Sequence, residues 1–269
     1  MVWTTKPPVG TQLDFTNSIN DGLVGYWIFN EGSGTVVNDL SGNGNNGTLI
    51  NMESPPTLTS GWNLNKDGKP CLAFNGDIGH EYISLTNNTV VNFGANDYSI
   101  FTTIKPTVLD NNIRNIFSKQ STQTQMTFNI NSLNGSSINS AGYLEVWHFS
   151  NGVFQRARTT TPPFIPLSTN SSWTTIGYTK IGTSGIFYIN GLSVPTTSDI
   201  FGTMDTLPSV PLNIGSNSSI FPGYYAGEMD QLCLWNRGMS SNEFLTLNNN
   251  PYSMFSVTCP PIICSLNVI

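Results

Sequence analysis

Short apolar runs separated by clusters of Gly, Asn, Ser and Pro recur along almost the whole chain. The runs Gly22–Phe29, Pro70–Phe74, Tyr82–Leu85, Tyr98–Ile104, Met126–Ile130, Tyr143–His148, Val153–Ala157, Thr174–Thr179, Gly185–Ile189, Leu212–Ile214 and Glu228–Trp235 have the length and residue types of strands. Many short strands with turn signals between them predict a β-sandwich or barrel. Asn151-Gly152 and Asn190-Gly191 each stand between two such runs, the chemistry of a tight primed hairpin turn. One stretch has helical character: Ser240 or Ser241 can cap it, Glu243 lies in its first turn, Phe244, Leu245 and Leu247 follow, and Pro251 stops it.

This pattern divides the chain into an irregular arm (1–21, with Pro7 and Pro8), a strand-rich domain (22–252) and a tail (253–269) ending in Ile262, Ile263, Leu266, Val268 and Ile269. The arm and tail are expected to make partner or homo-oligomer contacts, and the domain is expected to fold without them. At 269 residues the chain is compatible with one all-β domain. Charged residues make up only 10%, against about 25% in a typical soluble domain. Polarity comes instead from Asn, Ser, Thr and Gly. The net charge of −6 and the lack of any Lys/Arg cluster exclude the electrostatic footprint of a nucleic-acid binder. No apolar run approaches the roughly 18 residues of a membrane span, so no membrane insertion is expected. The first residues lack the pattern of a signal peptide. Of the four cysteines, Cys71 and Cys233 lie in apolar runs, and Cys233 reads as a buried free thiol. Cys259 and Cys264 bracket Pro-Pro-Ile-Ile without a zinc or redox spacing, and whether they pair stays open.

Four ordered segments carry a resemblance. They are Gly22-Leu-Val-Gly-Tyr-Trp-Ile-Phe-Asn-Glu-Gly-Ser-Gly-Thr35 running on through Asp39–Leu49; Leu72-Ala-Phe-Asn-Gly76 with Tyr82–Leu85 and Tyr98–Pro106; Trp173–Tyr178 leading to Phe187–Gly191; and Leu212–Ser216 followed by Tyr225–Arg237, Ser240 and Glu243. Over residues 22–252 they resemble the laminin-G-like jelly rolls of the concanavalin A-like lectin/glucanase superfamily. The resemblance implies an all-β sandwich of two antiparallel sheets with one short C-terminal helix. Asn250–Phe255 is similar to the end of laminin-G-like proteins encoded by phages. The segment Met229–Asn236 alternates, but which parity faces inward stays open.

Because that superfamily includes glucanases, catalysis needs a test. A retaining glycosidase needs two carboxyl groups about 5–5.5 Å apart, which a Glu-x-Asp-x-Glu strand supplies. Here Glu228-Met-Asp230-Gln-Leu232 has Leu232 where the second catalytic Glu would stand. His80 and His148 have no nucleophile motif beside them. No enzyme is expected.

By the same resemblance, Asp39, Asn43 and Asn45 on the Gly-rich loop, together with Asp230, would hold a structural calcium ion (Ca2+). The alternative is that Asp39 and Asn43 cap turns through their own backbone. A sugar surface needs an aromatic platform beside directional polar groups. The run Tyr143–Arg158 supplies it if Leu144 and Val146 face the core, because Tyr143, Glu145 and Trp147 then point the other way, near Arg156 or Arg158. Tyr143, Trp147 and Arg156 are the candidate glycan-binding residues, against the alternative that Trp147 packs inside. Phe221, Tyr224 and Tyr225 form a second candidate patch. The expected function is a non-enzymatic, surface-displayed structural or adhesion protein at a virion surface or outside the cell. Its expected partners are virion proteins of a phage capsid or tail and a glycan such as a host cell-surface polysaccharide. The alternatives are a carbohydrate-binding module of a secreted protein and, last, a glycoside hydrolase.

Overall fold

A computed structural model describes residues 5–86, 89–108, 112–120, 124–130, 142–160, 172–207, 209–216 and 223–256. The strands among them are β1 (Leu23–Trp27), β2 (Val36–Val37), β3 (Gly47–Ile50), β4 (Gly61–Leu64), β5 (Pro70–Asn75), β6 (Tyr82–Leu85), β7 (Tyr98–Pro106), β8 (Arg114–Gln120), β9 (Thr124–Ile130), β10 (Leu144–Ser150), β11 (Val153–Thr159), β12 (Thr174–Ile181), β13 (Ser184–Ile189), β14 (Leu192–Val194), β15 (Thr196–Ser198), β16 (Leu212–Ile214) and β17 (Ala226–Trp235). One helix follows, α1 (Ser241–Asn249). The strands form two antiparallel sheets. One has the order β14-β13-β12-β7-β17-β5-β4, with β1 also pairing β17; the other has the order β15-β11-β10-β9-β8-β16-β6-β3-β2. This is the expected jelly-roll sandwich.

The main core lies between the sheets. Ile100, Ile104, Ile176, Phe187, Met229, Leu232 and Leu234 come from the eight-stranded sheet, and Ile83, Ile116, Phe128, Leu144, Val146 and Ile214 from the nine-stranded one. The parity left open along β17 resolves into neither simple alternative. A bulge between Met229 and Gln231 shifts the register against β7, so Met229, Leu232 and Leu234 all face the core. Cys233 and Trp235 face outward, into a second apolar cluster. The bulge also divides the partners of β17: its first half pairs β5 and its second half pairs β1.

That second cluster covers the outside of the eight-stranded sheet. Tyr26, Phe101, Tyr188, Cys233 and Trp235 from the sheet meet Leu13 and Ile19 from the arm, Phe244 and Leu247 from α1, and Tyr252, Met254 and Phe255. Ser240 caps α1 in a capping box with Glu243. The helix approaches closely because Gly177 lacks a side chain; a Cβ there would lie 2.5 Å from the Phe244 ring. The two expected hairpins form, with positive φ at Asn151 (51°) and Gly152 (70°) and at Asn190 (49°) and Gly191 (79°).

The boundary expected at residue 22 separates what packing joins. Lys6 is 2% exposed, and its Nζ donates to the carbonyls of Pro70 (2.6 Å) and Asp230 (2.9 Å). Leu13 bridges Phe255, and Asp14 N–H donates to Met254 O. Residues 253–256 therefore pack back on the domain; the rest of the tail, with Cys259 and Cys264, lies outside the described residues. Cys71 and Cys233 are buried free thiols. Among the described residues no helix is long and apolar enough to cross a membrane.

Candidate glycan-binding face

The outer side of the nine-stranded sheet has the opposite chemistry. Strand registers place Thr48, Ser84, Asn213, Ser118, Thr127, Trp147 and Arg156 in one cross-strand row. A second row runs Asn115, Asn129, Glu145, Arg158 and Thr197. Both follow from period-two alternation: Thr127 and Asn129 stand between Met126, Phe128 and Ile130, whose side chains fill the core.

The central members of the rows are buried: Ser118, Thr127, Asn129, Asn115, Glu145 and Asn213 are at most 4% exposed. Asn115 Oδ1, Asn129 Oδ1 and Asn213 Oδ1 have no hydrogen-bond partner. A buried amide oxygen without a partner costs about 1–3 kcal/mol, so this covered layer carries a cost in stability.

The accessible part is the β10–β11 hairpin. Tyr143, Trp147, Arg156 and Arg158 are half-buried, and Phe154 is 39% exposed. Trp147 Nε1 donates to Glu145 Oε2 at 2.6 Å and its ring meets Phe154 edge-on at 5.1 Å. Glu145 Oε1 lies 3.2 Å from Arg158 Nε and 3.9 Å from the Arg156 guanidinium, and Arg158 sits 4.5 Å over the Tyr143 ring. Leu144 and Val146 do face the core, so Tyr143, Trp147 and Arg156 share the outer face as expected. Glu145 and Phe154 hold the Trp147 ring in place. Behind this hairpin His148 is fully buried, bonded to Gln155 and tilted against Tyr98 and Phe201. Burial pushes its pKa down to about 4.

The second aromatic patch does not form. Tyr225 is buried against Phe74 in the main core and Tyr224 stacks on His80, while Phe221 lies outside the described residues. Sequence reasoning missed Asn115 and Ser118, because β8 carries Arg114, Asn115, Ser118 and Lys119 and does not read as a strand; it missed Asn213, in a run that does read as a strand, because nothing local places it beside Ser118. The Thr127–Asn129 parity was visible in the sequence.

The four residues expected at a calcium site are not brought together. Asp39 accepts from Tyr26 N–H and Ser41 N–H at Oδ1, and from Ser41 Oγ and Asn45 N–H at Oδ2. Asn43 Nδ2 donates to Leu23 O, and Asn45 Nδ2 to Val24 O. Four donors occupy the lone pairs of Asp39 that a cation would need, while Asn45 Oδ1 in the same loop is buried without a hydrogen-bond partner. Asp230 belongs to another network, with Lys6 at 2.8 Å, Asn65 and the Tyr252 hydroxyl. Among the described residues no cluster of three or more His, Cys, Asp or Glu could hold a metal. In this structure the four do not fit a calcium ion as one ligand set.

The acids weighed for hydrolysis are also engaged. Glu228 pairs with Lys105 at 2.8 Å, and Asp230, the extra residue of the bulge, pairs with Lys6 at 2.8 Å.

Comparison with known proteins agrees with this fold. The family model Laminin_G_3, of the concanavalin A-like lectin/glucanases superfamily, matches residues 77–244. No curated protein matches the chain in sequence. Domain 4 of AbnA, a GH43 extracellular arabinanase from Geobacillus stearothermophilus in complex with arabinotriose, is 20% identical with a TM-score of 0.59, over 84% of this chain and 98% of that one. The binding domain of Paraclostridial Mosquitocidal Protein 1 is 16% identical with a TM-score of 0.61, over 86% of this chain and 52% of that one. The binding domain of Botulinum Neurotoxin DC in complex with SialylT is 12% identical with a TM-score of 0.55, over 86% and 52%. The chain thus matches about half the length of the toxin binding domains.

Proposed function

Since the chain belongs to the concanavalin A-like lectin/glucanase superfamily, we propose that it is a non-catalytic glycan-binding module. Its ligand lies on the outer face of the nine-stranded sheet at the β10–β11 hairpin. The observation that carries this reading is the accessible end of the two cross-strand rows, where Tyr143, Trp147, Arg156 and Arg158 gather round Glu145. A pyranose has an apolar face and a rim of hydroxyls. Trp147 and Tyr143 supply surfaces for the first, while Arg156 and Arg158, held by the buried Glu145, supply directional partners for the second. The similar arabinanase domain holds arabinotriose and the similar toxin domain holds SialylT. Those complexes support a glycan on this scaffold and leave its identity open. The ion pairs that engage Glu228 and Asp230 support binding without hydrolysis.

The test is a glycan array followed by calorimetry on the best ligand. A saturable ligand lost in Trp147→Ala and retained in Glu228→Gln, with no hydrolysis product, supports the reading. No ligand on the array, or a ligand indifferent to Trp147, sinks it. The setting we favour is display on a phage particle, in a capsid or tail. Its support is the resemblance of Asn250–Phe255 to the ends of phage-encoded proteins. Fixed-copy co-sedimentation with particles from the native source tests it, and a free soluble protein there removes it.

A further inference from the structure

The second apolar cluster does not cover the whole outside of the eight-stranded sheet. Beyond it, strand registers place Gly61, Ala73, Glu228 and Lys105 in one cross-strand row. The first two carry almost no side chain, and the last two form an ion pair at 2.8 Å with side chains 13% and 34% exposed. Above Ala73, Ala226, Lys105 and Glu228 lies a cavity of about 490 Å³, within the roughly 300–1,000 Å³ of small-molecule sites. Loop residues Leu58, Ile78 and Val108 line it and are 88%, 89% and 38% exposed. Apolar side chains gathered at the rim of a concave site, over a polar floor, mark a binding site rather than scattered surface residues.

We infer that this cavity is a second ligand site, separate from the glycan-binding face, and that it takes a small uncharged amphiphile with an aliphatic body and a hydroxyl head. The floor sets the head group. Lys105 Nζ spends one proton on Glu228 Oε2. That leaves Glu228 Oε1 to accept a hydrogen bond and the remaining ammonium protons to donate one. A hydroxyl does both. A carboxylate meets repulsion from Glu228, and an ammonium meets repulsion from Lys105. The aliphatic body covers Leu58, Ile78 and Val108.

The probes are 1-octanol, octanoate and octylamine, titrated into the full chain and followed by NMR shifts and calorimetry. The expected result is saturable octanol binding, with the two charged analogues weaker by about tenfold. Shifts should concentrate at residues 58, 78 and 108. Ala73→Leu fills the floor and should remove binding. Ile78→Asn, at an exposed position that the fold does not need, should weaken it and keeps the test valid if the first variant misfolds. Glycan binding should be unchanged in both. No saturable binding, tighter binding of either charged analogue, or octanol binding unaffected by Ile78→Asn would overturn the assignment.

Discussion

The outer faces of the two sheets are built on the same alternation and have opposite fates. Outside the eight-stranded sheet the outward residues are Tyr26, Phe101, Tyr188, Cys233 and Trp235, and the chain spends its arm, its helix and residues 252–255 to cover them. Even the polar groups there are tied down: Trp235 Nε1 donates to Ile19 O at 2.7 Å, and Lys6 closes on Asp230. Outside the nine-stranded sheet the outward residues are hydroxyls and amides, several without partners. Where the second apolar cluster covers it, the first face is finished by the chain itself and contributes stability. The second face keeps buried amide oxygens without partners beside an accessible aromatic and charged hairpin, which suits the proposed glycan site.

The comparison breaks most sharply at the arm. Deleting residues 1–21 removes Leu13 and Ile19, each worth about 1.5–3 kcal/mol when buried, and leaves Asp230 without Lys6. With a typical total stability of about 5–15 kcal/mol, the truncated chain is expected not to fold. A cooperative melt close to that of the full chain would show the arm to be an appendage, as the sequence first indicated.

Asp230→Ala tests the same face at one residue. It leaves the Lys6 ammonium buried and unpaired, a loss of about 3–5 kcal/mol measurable by denaturant unfolding. The double change Lys6→Met, Asp230→Leu should recover much of that loss. If the single change is neutral, the pair does not hold the arm.

His148, on the inner side of the glycan-binding hairpin, links that face to pH. Its folded pKa is pushed down to about 4, against 6.5 for the unfolded chain. The unfolded state therefore takes up a proton first as pH falls. Stability from this group is complete above about pH 6.5, falls between 6.5 and 4, and is about 3 kcal/mol lower below that window. Urea midpoints at pH 7 and pH 4.5 should show the drop, and His148→Gln should flatten it.

On the polar face itself, Trp147→Ala is expected to weaken the glycan ligand by about 2 kcal/mol, roughly thirtyfold. The melting temperature should move little, because Trp147 is only half-buried. A large melting shift with unchanged affinity would assign Trp147 to packing. The smallest effect is expected from a chelator. Asp39 is already saturated by four donors, so removing divalent cations should leave the melt unchanged.

Much of the architecture was legible along the chain. Strands whose apolar residues alternate, such as Met126–Ile130 and Leu144–His148, were visible, as were both Asn-Gly turns and the capped helix. The shared parity of Tyr143 and Trp147 was visible too, but which side it faces was not, and packing of Leu144 and Val146 in the core decides it. Strand β8 was not visible, because Arg114, Asn115, Ser118 and Lys119 are buried by their neighbours rather than by their own polarity.

The sequence by itself determined the class of fold and the chemistry of each strand face, because period-two alternation is a local property that survives in any register. The tertiary structure alone decided which strands lie side by side and so join Asn213 to Arg156 across the sheet. It also decided that β17 bulges at Asp230, and that Lys6 reaches across 224 positions to bond the Asp230 carbonyl. Each of these depends on contacts between residues far apart in the chain, and a distant contact leaves no mark on the local pattern of either partner.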